Sequence, residues 1–279
     1  MPNFFAGKIV IVTGSSNGIG RESARQFAAR GAKVTLCGRN ADTIKETRRQ
    51  CIESGAKESD ILEVLGELNN DETPARIIKE TLDKFGQIDV LVNNAGTAFV
   101  DAQMRTGIEQ PVELFDKTIT VNTRAVIVLS NLAIASLEKT KGSIINISSI
   151  AGSLVVTPNN PYYAMSKACL DQLTVQMAGT LINKGIRVNG ISPGIVRSDF
   201  GAKLGMPPAM VEAMYTEAEN NKEALPLGRY GQPEDIANLI TFLADRSLSE
   251  FIVGQTIVSD GGSLIKNTLI SREFKLPEQ

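Results

Sequence analysis

Hydrophobic positions along the chain fall alternately into short unbroken runs and longer periodic stripes. Lys8 to Thr13 reads Lys-Ile-Val-Ile-Val-Thr, a β-branched run without polar alternation that predicts a strand buried on both faces of a parallel sheet. Similar runs at Lys33 to Cys37, Ile61 to Leu65, one ending at Leu91-Val92, Ser143 to Ile147, Arg187 to Ile191 and Thr256 to Ser259 make seven strands. Between them lie stretches with the helical period: one closing near Arg30-Gly31, then Asp42 to Glu53, Thr73 to Phe85, Glu113 to Leu137, Tyr163 to about Asn183, and Pro233 to Ala244. This alternation implies an α/β fold, a seven-stranded parallel sheet with helices on both faces. Right-handed crossovers then put a ligand at the carboxyl ends of the strands. The helix from Glu113 is apolar almost all round over Val126 to Leu137, so it needs cover from the sheet and from a second subunit. No repeat, low-complexity tract or linker interrupts the series. One domain is expected over residues 1–279, with a connection at about 200–226 that has a helical centre, and a tail at 263–279.

The turn after the first strand carries the first chemistry. Thr13-Gly14-Ser15-Ser16-Asn17-Gly18-Ile19-Gly20 stands between a strand and a helix N-terminus. Glycines there let the backbone approach a pyrophosphate, and the unpaired amides of the helix start attract its charge. Gly14, Ser16, Asn17, Gly18, Ile19 and Gly20 are therefore candidate dinucleotide contacts, and the fold becomes a doubly wound, Rossmann-type one. The second strand ends in Gly38-Arg39-Asn40. An acid here would hold the ribose hydroxyls of NAD, whereas an arginine accommodates the 2′-phosphate of NADP. Gly38 stands where the acid would be and Arg39 follows, so NADP(H) is favoured, with NAD(H) the other possibility. Asn94, Ala95 and Gly96, after the fourth strand, can bound the adenosine side. Pro193-Gly194 ends the sixth strand and aims the chain over the pocket, where Ser198 can meet a ligand amide.

Charge and composition narrow the partners. With 29 basic and 31 acidic residues there is no footprint for nucleic acid and no cationic segment for a membrane surface, so the partner is expected to be a small molecule. Cys37, Cys51 and Cys169 lack paired or metal-ligand spacing and read as packing residues in a reducing compartment. The chain has no histidine, which excludes an imidazole base and an imidazole zinc site, and no metal is expected. The first strand begins by about Lys8, leaving no room for a leader, and the longest apolar run, Ala125 to Leu137, is too short to span a bilayer. A soluble cytoplasmic protein is expected.

Without histidine, another acid–base group is needed. Tyr163 and Lys167 are four residues apart on a predicted helix, on one face. An ammonium beside a phenol favours the phenolate and lowers its pKa from about 10. Tyr162 is rotated by roughly 100° on a helix of ~3.6 residues per turn, so spacing selects Tyr163. Ser149 follows the fifth strand at the same end of the sheet, and Asn122 lies inside the long helix, where only a backbone distortion would expose a carbonyl.

Thr13-Gly14 with Gly18 and Gly20, Asn93-Asn94-Ala95-Gly96, Asn122, Ser149, Tyr163 with Lys167, and Pro193-Gly194 together resemble the short-chain dehydrogenase/reductase family, in its compact single-domain branch. The resemblance implies hydride transfer between nicotinamide and a carbonyl carbon, with Tyr163 moving the proton and Ser149 holding the oxygen. It also implies that Lys167 binds the nicotinamide ribose and lowers the tyrosine pKa, that Asn122 holds a proton-carrying water, and that the protein is a homo-oligomer, a tetramer or dimer. Three positions depart from the family. Ser148 and Ser149 are adjacent and the loop Ser153 to Pro161 appears one residue longer, Glu67 replaces the usual aspartate against adenine, and Ser198 replaces a threonine. The expected function is an NADP(H)-dependent oxidoreductase acting on a ketone or secondary alcohol. The alternatives are a non-catalytic NADP(H)-binding regulator, an NAD-dependent alcohol or polyol dehydrogenase, and an epimerase. Phe200, Leu204, Met206, Met210, Met214 and Tyr215 in the connection suggest an apolar lid and a substrate with an apolar body, with Met206, Met210 and Met214 recurring every four residues and forming one apolar stripe if helical.

Overall fold

The computed structural model describes residues 4–103, 105–153, 160–203 and 206–266. Seven strands, β1 (Ile9–Thr13), β2 (Lys33–Gly38), β3 (Ile61–Leu65), β4 (Val90–Asn93), β5 (Ser143–Ile147), β6 (Arg187–Pro193) and β7 (Thr256–Ser259), form one sheet in the order β3-β2-β1-β4-β5-β6-β7. Every pairing is parallel. The helices between them are α1 (Gly18–Ala29), α2 (Ala41–Glu53), α3 (Glu72–Phe85), α4 (Val112–Ile119), α5 (Ala125–Thr140) and α6 (Pro161–Leu181), followed by α7 (Phe200–Lys203), α8 (Pro208–Asn220), α9 (Pro233–Ala244), α10 (Arg246–Ser249) and α11 (Ser263–Lys266).

Alternate strand residues face opposite layers. Val10, Val12, Val34, Leu36 and Ile145 pack against Phe27 of α1, Ile44 of α2 and Ile240 of α9. Ile11, Leu91, Ile144 and Val188 face the other way, onto Ile77 of α3, Leu129 and Leu137 of α5, and Leu181 of α6. Both faces of the sheet are thus covered, which is why the strands carry no polar alternation. The chain runs outward from β1 to β3 and then returns to start β4 on β1's other side, so the order reverses at β1. A reversal of this kind opens a crevice beyond the carboxyl ends of the two central strands.

Several boundaries move by one or two residues, and three differences have physical content. The helix expected over 113–137 is two helices joined by a π-helical turn, Thr120–Arg124, with Asn122 at its centre. The continuous helical stretch Val112–Thr140 has 29 residues and is long and apolar enough by composition alone to cross a membrane, so the apolar run read from the sequence understated its length. Here 44% of its most apolar window is buried. Third, Pro193 does not stop pairing: it sits opposite Ser259 in the β6–β7 ladder, and the Gly194 amide donates to the Ser259 carbonyl. Cys37 and Cys51 pack in the interior as expected, whereas Cys169 is exposed.

Candidate active site

A cavity of about 1050 Å³ lies along the carboxyl edge of the sheet, lined from the ends of β1 to β6. It brings together all of the cofactor and catalytic candidates except Asn122, from Gly14, Ser16, Asn17, Gly18, Ile19 and Gly20 through Arg39, Asn40, Glu67, Asn94, Ala95 and Gly96 to Ser149, Tyr163, Lys167, Pro193, Gly194 and Ser198. Given the strand order, Arg39 and Glu67 stand at one end of this trough and Ser149 and Pro193 at the other.

The glycine turn is shaped by close approach. Gly14 and Gly18 have φ of 65° and 52°, in the left-handed region that disfavours a side chain. A Cβ on Gly14 would lie 2.8 Å from Ala95 Cα, and one on Gly18 would lie 3.1 Å from Ser198 Cβ. The Asn94 side chain donates to the carbonyls of Thr13 (2.9 Å) and Gly14 (3.1 Å), and Thr13 Oγ1 accepts from the amides of Asn94 and Ala95. Asn94 therefore ties β4 to the turn after β1. Helix α1 opens at Gly18 without a side-chain cap from Asn17, leaving its first-turn amides directed at the cavity end of the sheet.

At the β2 end, Asn40 Oδ1 accepts from the amides of Asp42 (2.9 Å) and Thr43 (3.0 Å) and so caps α2. Gly38 cannot be exchanged for an acid without rearrangement, because a Cβ there would collide with Ser16 Oγ and with the Ile44 side chain. Arg39 faces Glu67 at 3.9 Å, both more than half exposed.

At the opposite end, the π-helical turn makes room for Asn122. Its Oδ1 accepts from the Thr97 amide (2.9 Å), and its Nδ2 donates to the Thr97 carbonyl (2.8 Å) and Ser166 Oγ (2.9 Å). The amide is thus committed to holding the chain after β4 against α6. Gly96 leaves space between the two functional groups behind it: a Cβ would lie 3.2 Å from Lys167 Nζ and 3.5 Å from Asn122 Oδ1.

The tyrosine–lysine pair differs from expectation. Lys167 Nζ donates to the Ile147 carbonyl at 2.8 Å and lies 5.6 Å from the centroid of the Tyr163 ring. Burial pushes the Tyr163 phenol above its ordinary value, and its hydrogen bond with Ser149 pulls it partly back. The lowering expected from an adjacent ammonium is not found: burial sets the direction. Burial also lowers Lys167 to about 8, opposed by the Asp171 carboxylate one turn along α6. Between the two adjacent serines, Ser149 is the one bonded to Tyr163, and its Oγ also accepts from the Ala151 amide at 3.2 Å. Ser148 instead donates to the Lys167 carbonyl (3.1 Å). Tyr162 is buried, and its hydroxyl donates to the Gln110 carbonyl at 2.8 Å.

The connection after β6 reaches back over this end. The Phe200 ring sits 5.6 Å from that of Tyr163, and Met206 also lines the cavity. Ser198 Oγ accepts from the Phe200 amide at 3.3 Å. Tyr215 accepts from the Ser198 amide and packs on Tyr230 at 4.8 Å, with Arg197 against both rings. The methionine stripe does not form as expected. Met206 lies between α7 and α8, Met210 is 58% exposed, and Leu204, the Met214 side chain, residues 154–159 and the tail beyond 266 lie outside the described residues. The sequence reading missed Thr43, Phe99, Thr120 and Val121, which also line the cavity. Only Val121, beside Asn122, had a neighbouring motif to point to it.

A family profile described as enoyl-(acyl carrier protein) reductase matches residues 14–263. The 3-oxoacyl-(acyl-carrier-protein) reductase of Synechocystis sp. is 33% identical over 92% of this chain and 97% of its own. A short-chain dehydrogenase/reductase of unknown function from Caenorhabditis elegans, solved with cofactor, superposes with a TM-score of 0.94 at 43% identity, covering 97% of this chain and 100% of that one. The apo-form glucose dehydrogenase of the same organism gives 0.79 at 44% identity, covering 94% and 99%. The profile, these relatives and the shared sheet lead to one statement: the chain belongs to the short-chain dehydrogenase/reductase family of oxidoreductases.

Proposed function

We propose that the protein is an NADP(H)-dependent oxidoreductase that interconverts a ketone and its secondary alcohol, with Tyr163 as general acid and base. One observation carries this reading: the Tyr163 phenol, the Ser149 hydroxyl and the Lys167 ammonium line the same cavity as the glycine turn and Arg39.

The residues present suit a dinucleotide. Gly14 and Gly18 hold a backbone shape that a Cβ would spoil, at an uncapped helix N-terminus suited to a pyrophosphate. Gly14, Ser16, Asn17, Gly18, Ile19 and Gly20 would hold the phosphates, and Arg39 with Asn40 the 2′-phosphate. Asn94 and Ala95 would bound the adenosine, with Glu67 beside Arg39, while Gly96, Lys167, Pro193, Gly194 and Ser198 would surround the nicotinamide half. When bound, the nicotinamide supplies or accepts the hydride.

The protein's own groups handle the proton. In reduction Tyr163 gives its proton to the carbonyl oxygen, and Ser149 donates a second hydrogen bond to that oxygen. The Ala151 amide, donating to Ser149 Oγ, fixes the hydroxyl so that its hydrogen is available to a ligand or to Tyr163. A phenol raised by burial keeps its proton at neutral pH, which suits it to the acid role in reduction. Lys167 is charged below about pH 8 and offers three donors, one of them taken by Ile147. Asn122 braces the π-helical turn that lets Gly96 approach Lys167. Phe99, Phe200 and Met206 give the reacting end an apolar wall, which favours a ketone with an apolar body, because sugar hydroxyls would lack partners there.

The test is a panel of alicyclic and aromatic ketones, 3-oxoacyl thioesters and free sugars, followed by cofactor absorbance with NADPH and with NADH. Ketone turnover with NADPH preferred supports the reading; sugars as the better substrates, or no turnover of any carbonyl, oppose it. NAD(H) stays open as the second cofactor reading because Glu67 faces Arg39.

A further inference from the structure

The β2–β3 ladder decides what stands beside Arg39. Gly38 is in register with Leu65, and the Gly66 amide donates to the Gly38 carbonyl at 3.0 Å. The first side chains beyond the two strands, Arg39 and Glu67, therefore leave the same edge of the sheet, with Arg39 Nη1 and Glu67 Oε1 3.9 Å apart. Glu67 is held from its other side, where Asn69 Nδ2 donates to Oε2 at 2.6 Å. Asn69 Oδ1 in turn accepts from Asn70 Nδ2 (3.1 Å), and Asn70 Oδ1 accepts from the Thr73 amide at the start of α3. The Thr73 side chain also fills the space a Cβ on Gly66 would need. The loop after β3 thus presents a carboxylate to the arginine from a fixed base.

We infer that Glu67 is a specificity-determining residue that competes with the cofactor's 2′-phosphate for Arg39 and so weakens discrimination for NADP(H) over NAD(H). The inference rests on the cofactor reading above. An arginine facing a carboxylate is already part-neutralised, so a 2′-phosphate must displace that carboxylate or share the guanidinium with it. A phosphate placed there also meets the carboxylate's own negative charge. A ligand ending in ribose hydroxyls carries no such charge and escapes both effects. Both partners are more than half exposed, so the effect is bounded by what solvent-exposed pairs supply and is weakened by salt.

The test uses the fragments 2′,5′-ADP and 5′-AMP in calorimetric titrations, which report binding without turnover. Glu67→Gln keeps the shape and an acceptor for Asn69 and removes the charge. It is expected to tighten 2′,5′-ADP by about two- to fivefold at low salt while 5′-AMP changes less than about 1.5-fold, with the gain shrinking as salt is raised. Asn69→Ala, which frees Glu67 without removing it, is expected to give a smaller gain. Equal tightening of both fragments would show a general charge effect and overturn the inference. Weaker 2′,5′-ADP binding would mean that Glu67 helps to hold the ligand, and no change that the pair is irrelevant; either also overturns it. Arg39→Ala separates the two readings. If it leaves the ratio of the two affinities unchanged, the cofactor reading itself fails, and this inference with it.

Discussion

At the scale of single residues, spacing selected Tyr163, and the structure puts Tyr163 in the cavity while Tyr162 is tied into the interior through Gln110. Helical periodicity settles such a choice because it is a local property. The Lys167 bond to the Ile147 carbonyl was not legible, since it depends on where a strand end meets a helix 20 residues later. Burial raises the Tyr163 phenol, so the neutral form persists beyond the usual value of about 10. An ultraviolet difference titration of the cofactor-free protein against Tyr163→Phe is therefore expected to show no phenolate from this residue below that pH; a phenolate forming near neutrality would contradict it. The two serines separate in the same way. Ser149 bonds the phenol, while Ser148 braces α6 through the Lys167 carbonyl. Ser149→Ala is expected to lower kcat by about a hundredfold or more, the usual cost of an oxyanion donor, at unchanged melting temperature. Ser148→Ala is expected to lower the melting temperature more than kcat, and the reverse order would reassign them.

At the scale of elements, the strands were legible to within two residues, most plainly β1, whose burial on both faces leaves an unbroken β-branched run. The π-helical turn was not, because the extra residue is accommodated by tertiary ties from Asn122 to Thr97 and Ser166 rather than by local preference. The helical centre of the connection after β6 was legible and is α8, but the methionine stripe on it was not as read, for a backbone reason. Four-residue spacing of Met206, Met210 and Met214 implies a stripe only on one continuous helix, but Pro207-Pro208 separates Met206 from α8, with Pro207 at ψ 145°. Met206 consequently reaches the cavity while Met210 stays exposed. Met206→Ala is expected to change the ranking of ketones by catalytic efficiency, and Met210→Ala to leave it unaltered. If Met210→Ala alters the ranking as much, α8 must close further over the substrate than this structure shows.

At the scale of the whole molecule, the long apolar helix in the sequence pointed to a second subunit, and both α5 and α6 leave apolar residues on the surface. Ile127 and Leu132 on α5 and Met165 and Val175 on α6 are 39–48% exposed, on helices whose opposite sides pack in the interior. Exposed apolar side chains at helical spacing on elements long enough to pair suit a symmetric interface. We expect a homodimer or tetramer by light scattering at micromolar concentration and a monomer for the double variant Leu132→Asp with Val175→Asp; a wild-type monomer would remove the proposal. Alternation and crossover handedness put the ligand at the carboxyl ends of the strands, so the position of the cavity was legible before its walls were, whereas the reversal at β1 shows only in the sheet order. The walls themselves, such as Thr43 and Phe99, come from segments whose only signal is proximity in the fold. What joins these scales is the claim that one cavity holds cofactor and carbonyl together around a single proton donor. The most direct measurement is NADPH oxidation with the best ketone of the panel, made on Tyr163→Phe alongside fluorescence titration with NADPH, with Tyr162→Phe as control. The account predicts that Tyr163→Phe loses roughly 10²- to 10⁴-fold in kcat, the range of a general acid, while NADPH affinity and melting temperature hold and Tyr162→Phe stays active. Full turnover by Tyr163→Phe, or inactivity confined to Tyr162→Phe, would contradict it.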